Sequence, residues 1–210
     1  MFCKTSKGKY FAKIAAFLLL AITPQWTMAA APSNPLGVVQ SGTERALEIL
    51  KASQKGDAPS LRQRKGEVLT VVDEYFNFEE MGKRALGRPW KEQSPEKRQE
   101  FIKLFKQLLF NTYISRVESY TGANEKAYYD SEKLEGDYAL VKTHIELQGN
   151  RKVSLDYRLH LENGQWKAYD VVIEGISLVE NYRSQFASIL TNGTFDALLQ
   201  KLRDKVKEQA

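Results

Sequence analysis

The sequence predicts an α+β domain in which helices precede and follow an antiparallel meander of about four strands. Two changes of hydrophobic period carry that reading. Apolar residues recur at helical spacing up to about residue 120, alternate with period two over 138–174, and return to helical spacing after 177. The third observation is Asn163-Gly164, the preferred two-residue hairpin turn, placed between two alternating runs. With 210 residues, 42% hydrophobic and 27% charged, the chain can bury a core and is too apolar to be disordered.

Asn34 followed by Pro35 predicts an N-cap with proline in the first helical turn, and Leu36, Val39, Leu47 and Leu50 then share one face. A polar loop over 56–59 separates this helix from a second carrying Leu61, Val68, Leu69, Val72 and Tyr75. Asn77 caps a short third helix that stops at Gly87, with Glu79 and Glu80 in its first turn, where carboxylates favour the positive end of the helix dipole. Ser94-Pro95 opens the longest helix. Its stripe runs through Phe101, Leu104, Phe105, Leu108, Leu109, Thr112 and Tyr113, and Gly122 ends it. After the strands come a helix over 177–190 and a last one capped by Thr194.

Alternation predicts strands at 138–147, 152–162 and 165–174, with a weaker candidate at 127–130. The Asn163-Gly164 turn sets Leu161 opposite Trp166, Leu159 opposite Ala168, Tyr157 opposite Asp170 and Leu155 opposite Val172. A three-residue loop at 148–150 sets Ile145 opposite Val153, Thr143 opposite Leu155, Val141 opposite Tyr157 and Ala139 opposite Leu159. A two-residue loop there would oppose Glu146 to Val153, so it is rejected. The two registers agree on one apolar face, covered by helices, and one wet face that includes His144, Asp156, Arg158 and His160.

The N-terminus reads as an export signal. Lys4, Lys7, Lys9 and Lys13 precede the apolar run IAAFLLLAI at 14–22, and small residues follow at Ala29-Ala30-Ala31. That run is too short to cross a bilayer, which takes about 20 apolar residues. Cleavage is placed after Ala29, so residues 1–29 are a signal peptide and 30–210 a single domain. Removal takes Lys+Arg from 31 to 27 against 26 Asp+Glu, so the formal charge falls from +5 to about +1 over 181 residues. Cys3, the only cysteine, leaves with the signal. An exported, nearly neutral chain is a poor nucleic-acid binder.

Catalytic motifs are scarce. The sequence contains no P-loop, no G-x-G-x-x-G, no G-x-S-x-G and no H-E-x-x-H. His144 and His160 fall on the wet face and do not predict a metal site. Asp170 is the exception: in the register above it points to the apolar side beside Tyr157. There it needs a hydrogen-bond donor, such as the Tyr157 hydroxyl or a backbone N–H, or it serves as a general base in an isomerase-like pocket. Basic residues at 62–65 and in the last helix (Lys201, Arg203, Lys205, Lys207) are interleaved with or followed by acids and read as solvated faces, with an adaptor surface as the other reading.

Two stretches, 76–120 and 166–199, closely resemble the MlaC, or toluene-tolerance auxiliary, family of periplasmic phospholipid-binding proteins. The most telling pieces are A-L-G-x-x-W at Ala85 to Trp90, S-P-E-x-R-Q-E-F at Ser94 to Phe101, and W-x-A-Y-D…E-G-x-S-L at Trp166 to Leu178. The resemblance implies a non-enzymatic periplasmic carrier that shuttles phospholipid between outer and inner membranes and so maintains outer-membrane lipid asymmetry. It implies an apolar cavity between sheet and helices, no cofactor, and phospholipid as cargo. The implied partners are an inner-membrane MCE-domain protein of an ABC transporter and an outer-membrane lipoprotein–porin complex, with the carrier itself a monomer. The expected lipid-binding residues are Val141, Ile145, Val153, Leu155, Tyr157 and Val172 on the sheet, and Ile176 and Val179 after it. Phe105, Leu109 and Tyr113 of the long helix complete the set. Periodicity does not separate a cavity wall from a filled core. The alternative to the carrier is a small pocket enzyme with Asp170 as base.

Overall fold

The computed structural model describes residues 34–52, 61–118 and 125–209; the expected signal peptide, the loop at 56–59 and Gly122 lie outside the described residues. Six helices and one five-stranded antiparallel sheet follow each other as the period changes predict. The helices are α1 (Pro35–Ala52), α2 (Leu61–Tyr75), α3 (Phe78–Leu86), α4 (Pro95–Glu118), α5 (Leu178–Thr191) and α6 (Phe195–Glu208). The strands are β1 (Lys126–Glu135), β2 (Tyr138–Glu146), β3 (Lys152–Glu162), β4 (Gln165–Ile173) and β5 (Ile176–Ser177), paired in the order β1-β2-β3-β4-β5.

Caps mark the helix starts. Asn77 Oδ1 accepts from the Glu80 N–H at 2.9 Å, Ser177 Oγ from the Glu180 N–H at 3.0 Å, and Thr194 Oγ1 from the Ala197 N–H at 3.2 Å. Each satisfies a donor that the first turn leaves without an intrahelical partner. Gly87 closes α3 at φ +63°, and a short 3-10 turn (Arg88–Glu92) seats Trp90 in the core before α4 begins.

Sheet register follows the hairpins. Asn163 and Gly164 both have positive φ, 51° and 77°, as a type I′ turn requires. The three residues Gln148–Asn150 join β2 to β3, and every pairing expected across that hairpin is present, including Ile145 with Val153 and Ala139 with Leu159. Strand β1 is ten residues long rather than the four expected at 127–130. The fifth strand is a two-residue addition that folds back over Glu174-Gly175, another turn with two positive φ values.

One register differs from expectation. Across β3 and β4 the predicted pairs hold at Leu161–Trp166 and Leu159–Ala168, but a β-bulge at Tyr169 then shifts the ladder by one. Arg158 now faces Asp170, Tyr157 faces Val171, and Leu155 faces Ile173. A bulge adds one residue to one strand, so every later side chain changes face. Asp170 and Val172 therefore lie on the face of Arg158 and Asp156, and Val171 and Ile173 take the apolar face. A second bulge, at Asp130 in β1, turns Glu132 to the inner face opposite Val141, where its carboxylate accepts the Leu36 N–H of α1 at 2.8 Å.

Two apolar clusters result. One is a filled helical core of α3, α4, α5 and α6, holding Met81, Trp90, Phe101, Phe105, Tyr182, Phe186, Phe195 and Leu198. The other joins α1 to the sheet through Val38, Val39, Ala139, Val141, Leu159, Trp166 and Ala168.

Candidate functional site

Between α1, α2, the end of α4 and the inner face of the sheet lies a pocket of about 1120 Å³. Strand β3 supplies one wall through Val153, Leu155, Tyr157 and Leu159, the inward residues of its alternation. Bulge-shifted β4 contributes Ala168, Val171 and Ile173. Helix α1 contributes Val39, Thr43, Ala46 and Leu47 along one face, and α2 faces them with Val68, Val71, Val72 and Tyr75. Branched aliphatic side chains dominate this wall, which suits methylene chains and offers few polar contacts.

Charge is confined to one end. The charged lining residues are Glu125, Arg151, Lys152 and Glu174, all at the end of the sheet where the β2–β3 loop and the β4–β5 turn meet. Glu174 is fixed there by accepting the Ser154 N–H. Neither Arg151 nor Lys152 has a carboxylate partner among the described residues. Deeper in the pocket, hydroxyls replace charges. Burial pushes the Tyr157 phenol above its ordinary value of 10.0, with the Thr43 hydroxyl beside it acting in the opposite direction, so the side chain stays neutral.

Of the eleven residues expected to contact lipid, six line the pocket: Leu109, Tyr113, Ile145, Val153, Leu155 and Tyr157. Five do not. Phe105 and Val179 are buried in the helical core, Phe105 against Tyr182 and Phe186. Val141 is fully buried in the packed layer that joins α1 to the sheet. Val172 pairs with Asp156 on the opposite face because of the bulge, and Ile176, on β5, is 63% exposed. Sequence reasoning missed the α1 and α2 walls, whose Val68–Val72–Tyr75 spacing was visible but reads equally as core, and it missed Val171 and Ile173 through the one-residue shift.

Asp170 is not in the pocket. It is 1% exposed and accepts from three donors: Arg158 Nη1 at 2.9 Å, Ser177 Oγ at 2.6 Å and the Val179 N–H at 3.0 Å. The backbone donor expected for it is present, while the Tyr157 hydroxyl belongs to the other face. Its carboxylate pins the first turn of α5 to β4, the placement that the helix dipole favours. A general base has to reach the proton it removes, and no lining group presents Asp170 to the pocket.

The histidines are accounted for on the outer face. His144 stacks on Tyr128 and hydrogen-bonds Asp130 at 2.8 Å, and His160 stacks on Tyr138. No group of three or more potential metal ligands occurs among the described residues, and no described helix is long and apolar enough to cross a membrane.

The chain is similar to one solved structure and to two sequence relatives. A chain from Ralstonia solanacearum, solved as a phospholipid-binding protein in complex with a phospholipid, superposes with a TM-score of 0.73 at 27% identity, covering 83% of this chain and 97% of that one. The intermembrane phospholipid transport system binding protein MlaC of Haemophilus influenzae is 27% identical over 204 residues, 93% of this chain and 92% of the relative. The toluene tolerance protein ttg2D of Pseudomonas putida is 26% identical over 176 residues, 82% and 80% of the two chains. The MlaC protein family model matches residues 40–204, which take in most of the pocket lining, and the chain belongs to the MlaC family.

Proposed function

We propose that the protein is a non-enzymatic periplasmic carrier that moves phospholipid between the outer and inner membranes of a Gram-negative envelope and so maintains outer-membrane lipid asymmetry. The observation that carries this reading is the pocket, about 1120 Å³ of mainly aliphatic wall with its charges at one end. That volume exceeds the roughly 300–1,000 Å³ usual for small-molecule sites and suits the apolar part of a two-chain lipid. Each acyl CH₂ withdrawn from water contributes about 0.8 kcal/mol, so retention needs an extended dry wall rather than many polar contacts. The phospholipids named for the relatives from H. influenzae and R. solanacearum support the same reading.

In this reading Leu109, Tyr113, Ile145, Val153, Leu155 and Tyr157 contact acyl chains, and the headgroup stays at the charged rim. The signal of residues 1–29 is removed on export, leaving 30–210 as a monomeric carrier without a cofactor. It takes up and delivers lipid through an outer-membrane lipoprotein–porin complex and an inner-membrane MCE-domain protein of an ABC transporter. Native mass spectrometry of protein purified from cells tests the core of this proposal. The expected result is a bound diacyl phospholipid; protein that is consistently lipid-free, and takes up none from vesicles, overturns it.

A further inference from the structure

The pocket has one charged end and one closed end, and β3 measures the distance between them. Inward residues of β3 line it in sequence from Val153 to Leu159, but the next inward residue, Leu161, does not. On β4 the lining stops at Ala168, one inward step before Trp166. On α1 it stops at Val38, before Leu36. Leu36, Leu161 and Trp166 pack instead against the layer of Val38, Val39, Leu159 and Ala168. Three elements thus end the pocket at the same level, on a layer backed by buried Trp166 and half-buried Leu36 and Leu161. Packed interiors resist deformation, so this layer is a stop rather than a soft boundary.

The length follows from strand geometry. From Val153 to Leu159 is six residues, or about 20 Å at roughly 3.3 Å per residue. An extended alkyl chain advances about 1.3 Å per carbon, the projection of a C–C bond of about 1.52 Å on the chain axis. The pocket therefore accepts about 16 carbons between rim and floor. We propose that it is an acyl-length gauge: with the headgroup at the charged rim, the floor of Val39, Leu159 and Ala168 selects phospholipids whose chains have about 16 carbons. This rests on the carrier reading and adds the selection of cargo to it. A chain that overruns the floor leaves methylenes in water, at roughly fourfold in affinity for each.

The experiment is a competition. Purified protein, stripped of lipid, is incubated with vesicles containing equal amounts of phosphatidylglycerols with two saturated chains of 12, 14, 16, 18 or 20 carbons, and bound lipid is weighed by native mass spectrometry. The wild type should retain the 16-carbon lipid at least about tenfold over the 20-carbon one, the loss expected from two or more stranded methylenes. Ala168→Leu, which raises the floor, should move the optimum down by two carbons or more, and Val39→Ala, which lowers it, should move the optimum up. Val39→Ala removes only two methyl groups and keeps the test open should Ala168→Leu fail to fold. Bound lipid of every length in equal amounts, or an optimum unmoved in Val39→Ala, overturns the gauge and leaves the carrier standing. Binding of none of the five lipids overturns the carrier reading, and the gauge falls with it.

Discussion

The helical core and the pocket are both apolar, yet one is full and the other hollow, and their side chains differ accordingly. In the core, Phe101, Phe105, Tyr182, Phe186 and Phe195 place neighbouring rings with centroids 5.2 to 6.0 Å apart, several edge-to-face. Interlocked rings fill space and hold α4 to α5 and α6. The pocket wall is mostly valine, leucine and isoleucine on a sheet faced by two helices, and these short side chains do not meet across the gap. Met81 and Leu109 belong to both regions and form the partition between them. Hydrophobic pattern thus reports withdrawal from water, while side-chain reach decides whether the withdrawn space is occupied.

Truncations should separate the two regions most sharply. Phe101→Ala removes a ring with three aromatic neighbours and should cost about 3–5 kcal/mol in urea unfolding. Leu155→Ala, beside open volume, should cost about 1 kcal/mol or less, because its side chain already lacks contacts on one side. Equal costs would mean that the pocket is packed in solution. Next in size is Asp170→Ala, which strips a buried N–H and a hydroxyl of their acceptor and should cost about 2 kcal/mol. Lipid retention should be untouched, since Asp170 serves α5; a lipid-free but folded variant would return it to the pocket.

Leu155→Glu and Val172→Glu test the face assignment directly. The first puts a carboxylate on the pocket wall and should lower lipid retention about tenfold, about 1.4 kcal/mol, read by native mass spectrometry. The second lies beyond the bulge on the other face and should retain lipid as the wild type does. Matching losses in the two variants would mean that Val172 faces inward. The smallest effect concerns α3. Partial burial alone would raise the Glu80 carboxyl, but the Lys83 hydrogen bond and the Arg84 charge outweigh it and hold it below 4.5. A lowered pKa in the folded state adds stability above about pH 4.5 that is lost as pH falls through the lowered value. Glu80→Gln should abolish that increment, under about 1 kcal/mol, visible as a flatter decline of Tm below pH 5.

Much of this fold was legible from period and turn chemistry. The helix caps at Asn77 and Thr194, the type I′ turn at Asn163-Gly164 and the whole β2–β3 register depend on local residues, and each carries its own mark in the sequence. The bulges at Asp130 and Tyr169 carry none, because a bulge is a matter of residue count and not of residue type. The site suffered for the same reason. Val153, Leu155 and Tyr157 sit on β3, whose inner face is set by the unbroken β2–β3 ladder, and they face inward as expected, whereas Val172 lies on β4 past the bulge. Phe105 and Val179 were chosen for being apolar on the correct elements, and nothing in a stripe of apolar residues tells which part meets a ring and which part meets a void.

The bulges also determine what kind of mutation threatens the molecule. Asp170 and Glu132 each reach a helix N-terminus because a single extra residue has reset strand parity, toward the outer face in one case and the inner in the other. Inserting one residue after Tyr169, with the bulge itself kept, would turn Asp170 inward beside Tyr157 and detach the first turn of α5, whereas deleting Tyr169 would leave Asp170 opposite Arg158. A comparison of relatives that tolerates a gap one position away from either bulge would therefore exchange inner for outer along the rest of the strand. In this sheet a change of length by one residue inverts polarity, and alignments of such chains have to be anchored on the carboxylate and the helix it holds.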